Sequence, residues 1–190
     1  PVKRILALAL VAALLVTVRI APEAEAAGTK ATLDTAYVCD FGQGSGVVDV
    51  RVRARLPKKA AAGSTVAERR IKVSLVLPAD TVATLRQFGV ESVEGRADRA
   101  KLRVGPTRAA VRKLRVPRTE IPPSGSLTLR GTGRVSSFEA PAAGRYAVRV
   151  PKRLAVELTA YGDGSSFEQG LACAVAPGAP SRLGTLRVKA

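Results

Sequence analysis

The chain has 190 residues, with 31 lysines and arginines against 15 acids, a formal net charge of +16, and no histidine, methionine or tryptophan. Without histidine, a Ser-His-Asp triad, a Cys-His pair and the usual zinc hydrolase sites are excluded, and two cysteines alone are a poor zinc set. No cofactor is expected.

At the start of the chain, Lys3 and Arg4 precede the apolar run "ILALALVAALLVTV", and Ala24-Glu25-Ala26 follows as an A-x-A site. These three parts predict a secretory signal over residues 1–26, cleaved after Ala26. The run of 14 residues ends at Arg19, short of the roughly 20 that span a bilayer, so no membrane span is expected after cleavage. No lipobox cysteine follows. Residues 27–190 then form one domain of ordinary size, large enough to bury a core. Lys3, Arg4 and Arg19 against Glu23 and Glu25 remove a net +1, leaving +15 on that domain. Arginine supplies 22 of the 31 cations. Such a bias also follows from a GC-rich coding genome, which competes with function as the explanation of every basic cluster.

Cys39 and Cys173 lie near opposite ends of the domain. In an exported protein an even pair is most simply a disulfide, with two free thiols or an intermolecular link as the alternatives. From Tyr37 onward, apolar residues recur at every second position: Tyr37, Cys39 and Phe41; Val48, Val50, Val52, Ala54 and Leu56; Ile71, Val73, Leu75 and Leu77; Leu127 and Leu129; Tyr146, Val148 and Val150; Leu154, Val156 and Leu158; Leu171, Cys173 and Val175. This period predicts half-buried antiparallel strands. The stretches "LPKKAAAGS", "IPPSGS", "APAAGR" and "YGDGSS" punctuate them as turns. Many short strands so spaced predict an all-β fold, an immunoglobulin-like antiparallel sandwich. One segment differs: in "PADTVATLRQFG", Val82, Leu85 and Phe88 are three apart, Asp80 sits in the first turn and Gly89 at the stop, which predicts one short helix closing an end of the sandwich.

The loop "YGDGSSFE" offers Asp163, Ser165, Ser166 and Glu168 as oxygen ligands but lacks the spacing of an EF-hand, and Gly162 and Gly164 favour a hairpin there. "GQGSG", residues 42–46, is followed by a strand and not by a phosphate-binding helix. The acids mostly stand beside basic residues, which favours solvated ion pairs over a glycosidase pair. No enzyme is expected.

The basic residues remain. Arg51, Arg53 and Arg55 share the polar face of one strand about 6.5 to 7 Å apart, a spacing that suits repeating negative charge, with Lys58 and Lys59 just beyond. Further clusters occur at Arg69, Arg70 and Lys72, at Arg99, Lys101 and Arg103, and at Arg108, Arg112, Lys113, Arg115 and Arg118. Aromatic stacking platforms are few, so no specific nucleic acid is expected. The stripe is either a solvated face shaped by codon bias or an electrostatic surface for anionic cell-envelope polymers.

"YVCDFG", a later "LACAV…PG", "LRQFGVESVEG", "IPPSGSLTLRGTG", "SSF.APAAG" and "LGTLRV", in that order over residues 33–188, resemble a secreted actinobacterial domain of unknown function found in exported and cell-wall-associated proteins. The resemblance implies export, a β-rich fold and a Cys39–Cys173 bond, and no established activity. The expectation is an extracellular, non-enzymatic module with anionic envelope polymers as partner and, as the alternative, an extracellular protein bound through a sheet edge.

Overall fold

The computed structural model describes residues 28–42 and 44–190, so the expected signal segment, residues 1–26, lies outside the described residues. Fourteen strands and one helix follow in order among the described residues: β1 Thr29–Asp40, β2 Ser45–Leu56, β3 Lys59–Ala61, β4 Thr65–Val66, β5 Arg69–Leu77, α1 Ala79–Gln87, β6 Ser92–Ala97, β7 Lys101–Val104, β8 Thr107–Glu120, β9 Leu127–Val135, β10 Phe138–Glu139, β11 Gly144–Arg149, β12 Arg153–Gly162, β13 Ser165–Val175 and β14 Arg182–Lys189.

The all-β, antiparallel expectation holds, but the sheet closes on itself. The strands pair in the ring β1-β2-β5-β9-β8-β6-β12-β13 and back to β1, eight strands with every neighbour antiparallel. The architecture is a barrel, where the sequence pattern predicts two stacked sheets. A period of two fixes which face of a strand is buried and is silent on whether the two edges of a sheet meet. Closure depends on the long β8. Its first part, through Ala110, pairs with β7, and its later part, from Leu114, pairs with β6, while its opposite edge follows β9. Lys113, with φ 52, sits in a bulge between Arg112 and Arg115 that turns the strand from one partner to the other. Facing the bend, β9 carries Gly131 and Gly133; a Cβ at Gly131 would stand 2.7 Å from Val73 Cγ2, so only glycine admits that approach.

A second sheet branches from β8 in the order β8-β7-β11-β14-β3, with β3 parallel to β14. Its inner face brings Leu102, Val104, Val148, Leu186 and Val188 into the same core as Leu33, Val52 and Ile71 of the barrel. It therefore closes one end of the barrel. Helix α1 closes the other, where Val82 and Val90 pack with Val93, Ile121, Leu127 and Ala160. The helix ends in a Schellman turn: Gly89, φ 72, donates to Arg86 O at 2.9 Å and Val90 donates to Leu85 O at 3.0 Å. Phe88 departs from the expected apolar series. It caps the helix at 80% exposure, because the chain reverses at Gly89 before a third turn can reach the core.

"YGDGSS" is a two-residue hairpin between β12 and β13, with Asp163 at φ 49 and Gly164 at φ 71, the pair of positive φ angles a type I′ turn needs. Aliphatic side chains line the lumen and charges cover the outer walls, the reverse of a lipid-facing barrel. No helix among the described residues is long and apolar enough to cross a membrane.

Cys39 and Cys173 face each other in register on β1 and β13 and form a disulfide pointing into the lumen. Beside it Tyr37 donates to Pro151 O at 2.8 Å. Burial pushes its phenol up to about 12. Since the folded value exceeds the unfolded one, near 10, this group's stabilisation is complete below pH 10 and is lost as pH rises toward 12. Tyr37→Phe is expected to cost about 1 kcal/mol at pH 7 through the lost hydrogen bond. It should also flatten the fall in stability between pH 9.5 and 11.5, as measured by urea unfolding at each pH.

Candidate functional site

The sequence stripe is divided by the fold. Arg51, Arg53 and Arg55 stand exposed on the outer wall of β2, whereas Pro57 breaks the strand, so Lys58 leaves the wall and Lys59 opens β3 in the second sheet. On the barrel wall, Arg53 is opposite Lys72, Lys30 is opposite Arg55, and Arg134 lies between Arg70 and Arg112. Arg70 and Lys72 of one sequence cluster and Arg112 of another thus join the stripe on one wall. Acids are interspersed there. Asp34, directly opposite Arg51, accepts from its Nε at 2.5 Å, and Glu68 accepts from Arg134 at 2.6 Å. The Arg51 hydrogen bond holds the Asp34 carboxyl below the usual carboxylate range, so the pair stays ionised throughout neutral and mildly acid pH. Around the barrel, Arg96 is likewise paired with Glu157.

The second sheet is different. Across its strands Arg108 is opposite Arg103, Arg103 is opposite Arg149, and Arg149 is opposite Arg182. All four are exposed. With neighbouring strands about 4.8 Å apart, this is a row of four guanidinium groups about 14 Å long. A second row runs Lys59, Arg187, Arg145 across β3, β14 and β11. The four strands β3, β7, β11 and β14 contain Lys59, Lys101, Arg103, Arg145, Arg149, Arg182, Arg187 and Lys189, and no Asp or Glu. The side-chain hydrogen bonds of Arg103, Arg149 and Arg182 go to neutral oxygens, Gly105 O, Ser181 Oγ and Thr185 Oγ1. These bonds orient the guanidinium groups without neutralising them.

Like charges directly opposite each other on a sheet destabilise it. Codon bias raises the number of arginines but does not sort acids away from one sheet, so the segregation is the stronger signal than the count. Sequence reasoning found Arg99, Lys101 and Arg103 as one cluster and Arg108 in another, and missed Arg145, Arg149, Arg182 and Arg187. The alternation within "GRYAVR" and "RLGTLRVK" was the available signal; that these strands lie side by side was not.

Asp34→Asn removes the acid facing Arg51 and is expected to tighten polyanion binding about two- to threefold at low salt with an unchanged fold, measured by titration with polyphosphate.

At the α1 end, Arg118 lies over the Tyr161 ring at 3.9 Å and donates to Ser92 Oγ at 2.7 Å, while Tyr161 donates to Glu94 at 2.7 Å. This chain of contacts ties β8 to β6 and β12. Asp163, Ser165, Ser166 and Glu168 belong to the hairpin and its following strand. Among the described residues no group of three potential ligands is placed to hold a metal ion.

The model of a family described as "Family of unknown function (DUF6801)" matches residues 36–184. No curated protein and no solved structure matches the chain.

Proposed function

The chain belongs to the DUF6801 family, whose function is unknown, and from that premise we propose that it is an exported, non-enzymatic module that attaches to anionic polymers of the cell envelope through the outer face of its second sheet. The observation that carries this reading is the row Arg108, Arg103, Arg149, Arg182: the last three stand on β7, β11 and β14, which hold no acid, and Arg108 stands beside them at the start of β8. The Cys39–Cys173 bond supports export, because disulfides persist in oxidising compartments. Arg53, Arg55 and their neighbours on the barrel wall form a second, partly neutralised cationic field; Lys59, of the original stripe, belongs to the primary surface.

Each phosphate neutralised releases condensed counterion, so affinity falls with salt at a slope of roughly 0.7 to 0.9 per contact. Four arginines engaged together give a slope of about 3 in log K against log salt. Titration of the oxidised protein with polyphosphate between 50 and 200 mM salt is expected to show such a slope and binding that persists at 150 mM. Salt-independent binding, or none at 150 mM, contradicts the reading.

The alternative, pairing of a partner strand at a sheet edge, would use the stretches that have one neighbour: Thr29–Ala36 of β1 pairs with β2 alone, since β13 reaches only Tyr37–Asp40. The outermost strand of the second sheet, β3, is three residues long and opened by Lys59.

A further inference from the structure

The barrel lumen is not completely filled. Between the helix at one end and the second sheet at the other lies a cavity of about 110 Å³. Close-packed protein interiors rarely hold voids larger than a water molecule. The cavity is bounded by inward-facing side chains from the strands of the ring, and Val50, Val73, Leu114, Val156 and Leu158, although they point inward, are only partly buried. Its lining is almost wholly aliphatic; the charged residue that borders it, Arg96, has an exposed guanidinium paired with Glu157. Tyr37 brings a hydroxyl to it, and that hydroxyl already donates to Pro151 O. A polar guest would find no partner there, and water needs two to four polar neighbours to be held.

The lining runs from Val48 to Val52 along β2 and from Ile71 to Leu75 along β5, about 13 Å of strand. Eight-stranded barrels are just wide enough either to fill their interior with side chains or to hold one small ligand. An engineered aliphatic cavity of similar size takes up benzene.

We infer that the lumen is a binding site for one aliphatic chain, held between the helix and the second sheet by dispersion and burial alone. The inference is independent of the cationic surface, which lies on the outside of the molecule. Two sources share this chemistry: a free hydrocarbon, wholly enclosed, and the chain of a fatty acid or lipid whose head stays outside the wall.

The test uses the oxidised protein with n-hexane and with octanoate as separate probes, read by methyl NMR and by thermal unfolding. Saturable shifts confined to the methyls of Val50, Val73, Val156 and Leu158, with a rise in Tm, are expected. Saturation by octanoate assigns a chain carrying a head group; saturation by hexane alone assigns a free hydrocarbon. Val73→Phe fills the space and should weaken binding at least tenfold while leaving Tm equal or higher. Val156→Leu, one carbon larger, should weaken it severalfold and keeps the experiment decisive if the phenylalanine variant does not fold. Absence of saturable methyl shifts with both probes in the unaltered protein overturns the inference, as do shifts that survive filling of the lumen.

Discussion

Replacing Cys39 and Cys173 by alanine is expected to lower the unfolding free energy by about 3 to 5 kcal/mol, the largest effect of any change proposed for this protein. The bond joins positions separated by 134 residues. In the chain-entropy account, opening a loop of that length frees the unfolded state by roughly 5 kcal/mol, an upper figure because residual structure in the unfolded chain reduces it. The native state also loses contacts, since both cysteines are buried in the lumen and two alanines do not fill the same space. The bond also lies at the β1–β13 seam, the pairing that closes the ring between the first and last barrel strands. For a domain of this size the loss amounts to about 8 to 16 °C in Tm, read by calorimetry with the reduced protein as a parallel sample. A Tm within 3 °C of the oxidised protein contradicts the assignment of the bond as the main closure of the ring.

Gly162→Ala is expected to cost about 2 to 4 kcal/mol, although the position is at the edge of an exposed hairpin. A Cβ there would lie 1.8 Å from Gly89 O and 2.8 Å from Gly89 C, backbone atoms of the turn that ends α1. Neither can move alone. Gly89 is held in the left-handed region by the Schellman turn, and the next residues are tied to β12 by Glu91 donating to Tyr161 O at 2.8 Å. The substitution therefore pushes the helix off the barrel end and exposes Val82 and Val90. Gly170, on β13, provides the control: a Cβ there meets nothing within 4 Å, and Gly170→Ala should be neutral or stabilising by up to about 1 kcal/mol. Equal effects of the two substitutions in urea unfolding contradict this packing argument.

Both effects were only partly legible in the sequence. The cysteine pair was readable from number and context, and "YGDG" from turn chemistry, because each is a local rule. The strands from Val48 to Leu56 and from Ile71 to Leu77 were readable because one face is apolar throughout. β8 was not, since the bulge at Lys113 places Arg112 and Lys113 consecutively and breaks the alternation. The barrel was not legible either, because ring closure is a property of strand order. The same reason hid the candidate surface: Arg103, Arg149 and Arg182 are scattered along the chain and meet only through the order β7-β11-β14. The stripe Arg51, Arg53, Arg55 was conspicuous because it is contiguous, yet Asp34, 17 residues earlier, lies opposite Arg51.

In the proposed function, position on the second sheet, and not net charge, governs attachment. The direct measurement compares two variants of equal charge by polyphosphate titration: Arg103, Arg108, Arg149 and Arg182 changed together to Gln, and Arg51, Arg53, Arg55 and Arg70 changed together to Gln. The first is expected to lose at least tenfold in affinity at 150 mM salt and about 3 in salt slope, and the second less than threefold. Equal losses in the two variants would contradict it and leave the cations as a diffuse field.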